Sequence, residues 1–92
     1  MTIYTTENFE LVFSEDNKNL YIYRVFENKE RVNIAAVKYS QTTNTSFIIS
    51  NGPNIQDYII SWELYTEFVK VLDEAFTYFD LNKDKIFTWE VQ

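Results

Sequence analysis

The chain has no cysteine and no histidine. Without cysteine there can be no disulfide, no thiolate nucleophile and no Cys-ligated zinc. Without histidine it lacks the commonest general base and the commonest transition-metal ligand. Glycine and proline occur once each, side by side at Gly52 and Pro53. The connections are therefore short, no linker is disordered, and no glycine-rich loop can cradle a phosphate. There is no apolar run of membrane-spanning length, and no basic-then-apolar leader opens the chain. These absences argue against an enzyme and against a cofactor or metal site. They point to a single domain of 92 residues in the cytoplasm, that of a host cell if the gene is phage-borne.

Aromatic residues are plentiful, with eight Phe, seven Tyr and two Trp. Asn, Ile, Thr and Tyr are frequent while Ala and Gly are scarce, which suggests an AT-rich coding genome such as that of many phages and low-GC bacteria. Acids outnumber bases, 14 to 8, for a net charge of −6. The imbalance is local. Residues 1–50 hold six acids and five bases, a net of −1, whereas residues 51–92 hold eight acids and three bases, a net of −5. The second half should repel nucleic acid and anionic membrane and attract a basic surface.

Period-two patterning dominates the first half. Residues 2–6 are compatible with a short strand. Phe9, Leu11 and Phe13 alternate with Glu10 and Val12, the pattern of a half-buried strand. Residues 20–26, 32–39 and 46–50 read as three more strands. Between them lie the turn-forming clusters 14–19, 27–30 and 41–45. Tyr21, Tyr23 and Tyr39 are expected on a sheet face away from any helix, either in ordinary cross-strand packing or as a surface for a partner. Residues 55–59 fit a short strand or the lead-in to a helix.

A helix is expected over about 60–79. Ser61 can cap its first turn and Glu63 suits the positive end of its dipole. Leu64, Phe68, Val71, Leu72, Ala75 and Phe79 recur at three- and four-residue steps and should pack on the sheet. Residues 80–83 read as the stop. Alternation over 85–91 reads as a final strand. The expected fold is therefore α+β: an antiparallel meander of four to five strands packed by one long helix, with a final strand over 85–91.

The apolar arc of this helix is wider than one packing stripe, continuing through Trp62, Tyr65, Val69 and Phe76. Either the sheet and the C-terminal tail bury the helix from two sides, or these four residues form an exposed strip for a partner or a second copy. The remaining arc carries Glu63, Glu67, Asp73 and Glu74. These acids are either a solvated face or a recognition surface. Glu63 and Glu67 would stand about 6 Å apart along the axis, with Glu74 about 10 Å further on. A row of carboxylates on that scale can imitate a phosphate backbone. Exchange of Glu63, Glu67 and Glu74 for Lys is expected to keep the fold and abolish binding.

Two resemblances come from short stretches. The tail YFDLNKDKIFTWEV is similar to the end of an EF-hand entry helix and its calcium loop, with Asp80, Asn82 and Asp84 at loop positions one, three and five. It departs from that pattern at Lys85, where the loop has Gly, and at Val91, where it has the bidentate Glu; Glu90 stands one place early. The order of several strands followed by one helix resembles, in topology alone, the coactivator-type single-strand-DNA binders. Such a groove needs basic residues along the strand path, and this chain has eight in total. The residues as a whole imply a small acidic interaction module without enzymatic activity. In its sharpest form it is a phage or mobile-element inhibitor that presents a DNA-like acidic helix face to the basic surface of a host nuclease or polymerase, without binding nucleic acid or membrane itself. The alternative is a homodimeric assembly subunit that uses its apolar helix and tyrosine faces.

Overall fold

A computed structural model describes residues 1–50 and 54–87. Its first half is an unbroken series of strands: β1 (Thr2–Thr5), β2 (Phe9–Ser14), β3 (Asn19–Val25), β4 (Arg31–Ser40) and β5 (Thr45–Ser50). Each connection is short, so neighbours in sequence are neighbours in space. The five strands form one antiparallel sheet in the order β1-β2-β3-β4-β5. Residues 55–59 form neither a strand nor α-helix; Ile55–Asp57 is a single 3-10 turn, capped by the Asn54 side chain.

With almost no glycine, the hairpins turn on other residues. Lys18 (φ 59°), Lys29 (φ 71°) and Asn44 (φ 56°) take left-handed backbone conformations near the ends of their turns. Asn tolerates this region, but for the two lysines it is strained.

Cross-strand register sorts the two faces of the sheet. The rows Leu11–Ile22–Ala35 and Phe13–Leu20–Val37 run across the face that meets the helix, and all six residues are buried. A bulge opposite Ile22 and Tyr23 adds Ile34 to the same core. The row Val12–Tyr21–Ala36–Ile49 lies on the opposite face. Tyr21 and Tyr23 stand on that face as the alternation implies. Tyr39 does not: it is on the helix side, with its ring 5.2 Å from Phe87 and 6.0 Å from Phe79.

One helix covers the sheet, α1 (Trp62–Ile86). Ser61 is its N-cap, and the Ser61 hydroxyl accepts from the Leu64 N–H at 3.1 Å. Phe68, Val71, Ala75 and Phe79 form its buried stripe, with Leu64, Leu72, Tyr78 and Ile86 packed beside them. Phe9 meets Phe68 at 5.7 Å between ring centres, and Phe13 meets Tyr78 at 5.4 Å.

The helix runs past the expected stop at 80–83. Asp80, Leu81, Asn82 and Lys83 are all helical, and the Asn82 amide donates to the Tyr78 carbonyl at 2.9 Å. The core stripe continues into this segment, and Lys83 and Lys85 suit the negative end of the helix dipole. Packing and dipole together outweigh the weak turn preference of Asp and Asn. Two corrections follow. Lys85 and Ile86 belong to the helix and Phe87 is its C-cap, so none of the three is in a strand; the rest of the expected strand, 88–91, lies outside the described residues. Asp80, Asn82 and Asp84 do not adopt a calcium-loop conformation, since in a helix Asn82 points well away from the other two.

Candidate protein-interaction surface

The wide apolar arc on α1 divides into two stripes. One is the buried stripe described above. The other, Trp62, Tyr65, Val69 and Phe76, is exposed to solvent by 78%, 49%, 43% and 37% respectively. Their steps place them within an arc of about 60° beside the core stripe. Trp62 and Tyr65 stack at 5.3 Å and 29°, so two large rings form one flat surface at the start of the helix. Ile60, just before the N-cap, is also exposed and lines the same hollow as Ile59, Ser61, Trp62 and Tyr65. It extends the strip by one residue that helical spacing would place about 160° round the axis from Trp62; Ile60 joins the strip because it lies before the N-cap, outside the helix.

The four acids are not equivalent. Glu63, Glu67 and Glu74 fall within an arc of about 40°, and Asp73 stands about 100° round the axis from Glu74, nearer the apolar strip. Glu63, Asp73 and Glu74 are exposed. Glu67 is half-buried and already engaged. Its carboxylate accepts from the Thr6 hydroxyl, from the Asn8 N–H at 2.7 Å and from the Asn8 amide at 3.0 Å. Burial alone would raise its pKa, but the Thr6 and Asn8 hydrogen bonds, helped by the nearby Arg24 charge, hold it below the ordinary value of 4.5. Exchange of Glu67 for Lys would break the link between the β1–β2 turn and the helix, so only Glu63 and Glu74 of the expected row can be reversed without cost to the fold. Lys70 lies between those two along the helix.

Thr6, Asn8 and Arg24 are a set that sequence reading misses. The Arg24 guanidinium lies 4.7 Å from the Phe26 ring centre and donates to the Asn8, Val25 and Tyr58 carbonyls. Its hydrogen-bonding capacity is used internally, which makes it a strut for the sheet end next to the helix start. The only sequence signal is an Arg on the apolar face of β3.

On the outer sheet face, Arg31 pairs with Glu10 and lies 4.6 Å from the Tyr23 ring centre, while the Tyr21 hydroxyl accepts from the Asn17 amide at 2.6 Å. Both tyrosines are thus partly covered by local partners. Among the described residues, no cluster of three or more acidic, His or Cys side chains is arranged to hold a metal, and no helix is long and apolar enough to cross a membrane. Comparison with known protein families, with curated proteins and with solved structures finds no match.

Proposed function

We propose that this chain is a non-enzymatic interaction module that docks a protein with a basic surface through α1. In this reading Trp62, Tyr65, Val69 and Phe76 anchor the contact, while Glu63, Asp73 and Glu74 steer and orient it. The observation that carries the proposal is the exposure of four apolar side chains, two of them stacked aromatics, along one line of a helix whose adjacent stripe is fully engaged in the core. Aromatic anchors with a charged rim are the usual anatomy of a contact in which a few residues supply most of the binding energy. The carboxylates supply attraction at long range, and their sign selects a cationic partner.

The partner class that best fits an acidic, aromatic-studded helix is a nucleic-acid-handling protein, such as a nuclease or polymerase, whose cleft is built for phosphates. The module would then act as an inhibitor by occupying that cleft, in the manner of phage and mobile-element proteins that block host enzymes. Affinity capture from a bacterial lysate tests this. The captured protein should be released by duplex DNA, and Trp62→Ala with Tyr65→Ala should weaken capture by roughly a hundredfold, as expected for removal of two aromatic anchors. Capture indifferent to both DNA and the double alanine variant would overturn the proposal.

A further inference from the structure

The two edges of the sheet are protected unequally. β1 has four residues and its pairing with β2 is broken by a register shift between Thr2 and Tyr4. β5 has six residues and keeps an unbroken register with β4 from Thr45 to Ser50. Proteins blunt exposed edges with shortness, bulges, lysines, prolines or inward charges. β1 has the first two of these, and β5, with the sequence TSFIIS, has none.

The lack of charge extends well beyond the strand. Residues 39–56 contain no Asp, Glu, Lys or Arg, in a chain that is 24% charged. Phe47 on the outer face and Ile48 on the helix face of β5 are both exposed. A basic partner gains nothing electrostatically from such an edge. A second copy, itself carrying −6, is repelled by the acidic helix half but can approach here without placing like charges in contact.

We propose that two copies of this chain pair antiparallel through β5 about a twofold axis, joining two five-stranded sheets into one. Opposed residues in such a pair must point to the same face, which restricts the register. Centring the axis on Ile48 sets it against its own counterpart on the helix side and sets Phe47 against Ile49 of the other copy on the outer side. Every exposed apolar residue of the strand then faces an apolar residue. Centring on Phe47 would set Ile49 against Thr45. The interface is isologous, and among the described residues the only sheet edges left belong to the bulged β1 strands, so assembly ends at a dimer. This surface adjoins the α1 strip at Phe76, which lines one hollow with Thr45 and Ser46, but it uses neither Trp62 nor Tyr65 and does not depend on their role.

The test is the mass of the full chain by light scattering at about 100 μM, a concentration at which micromolar association is saturated. The wild type should have about twice 11.1 kDa. Phe47→Lys and Ile48→Lys each place a charge at the centre of the edge, twice per dimer, and should weaken association by roughly a thousandfold, returning the monomer mass at that concentration. Thr2→Lys on β1 and Tyr65→Lys on α1 should leave the dimer intact. Ile48 is exposed and meets its own counterpart in the proposed register, so Ile48→Lys decides the matter if Phe47→Lys perturbs the fold by circular dichroism. A monomeric wild type, a dimer that survives Ile48→Lys in a folded variant, or a dimer lost with Tyr65→Lys would overturn the proposal.

Discussion

Glu67 joins two parts of the chain that lie about sixty residues apart. Its carboxylate takes three hydrogen bonds from Thr6 and Asn8, and Asn8 in turn receives Arg24. Because the folded-state pKa is lowered, this contribution to stability is fully present above about pH 4.5 and is lost as pH falls through the lower folded value. Glu67→Gln keeps the shape but turns an amide NH₂ towards donors. It should cost about 1–2 kcal/mol near neutrality, after allowance for partial solvent screening, and far less at about pH 3. Urea unfolding at both pH values checks this; an equal loss at both would show that the carboxylate charge does not matter. None of this linkage is legible in the sequence, where Glu67 differs in no way from Glu63 or Glu74. The ring strip is different: Trp62, Tyr65, Val69 and Phe76 can be read from helical spacing alone, and only their exposure needs coordinates.

The strands are legible because each obeys one local rule. Phe9, Leu11 and Phe13 alternate, the turn clusters are polar, and the short connections leave no choice but a meander. The end of the helix is not legible in this way. Asp80 and Asn82 look like a stop, yet Phe79 and Ile86 both pack on the core and carry the intervening turn with them. Local preference of a few tenths of a kcal/mol per residue cannot oppose that burial. Tyr39 faces the helix because the bulge opposite Ile22 and Tyr23 shifts the alternation of β4, which puts Ala35, Val37 and Tyr39 on the core side, and no residue pattern announces that bulge. The turns offer a separate prediction. Lys29 has φ 71°, where glycine carries no Cβ penalty. Lys29→Gly should therefore raise stability by roughly 0.5–1 kcal/mol in thermal or urea unfolding, the steric relief exceeding the added backbone entropy of the unfolded chain. A loss of stability would mean that the lysine stem contributes packing not evident from its exposed position.

At the scale of the whole molecule, charge and apolar surface are divided between regions. The helix half holds −5 of the net −6, and the exposed aromatic strip runs along the same helix. The uncharged residues 39–56 form the opposite extreme and include the edge strand β5. The proposed docking strip belongs to the first region and the proposed pairing edge to the second. The charge split was visible in the sequence. The neutral edge was not, because nothing in the order of residues says which strands border solvent. The most direct measurement of the central claim is partner capture by wild type beside the triple variant Glu63→Lys, Asp73→Lys and Glu74→Lys, with Glu67 left in place so that the fold is untouched. The variant should retain its helical circular dichroism, and capture should fall by at least about a hundredfold, since three steering charges are reversed at once. If the folded variant captures the same partner as well as wild type does, the acids on α1 are a solvated face and the proposed mode of docking is contradicted.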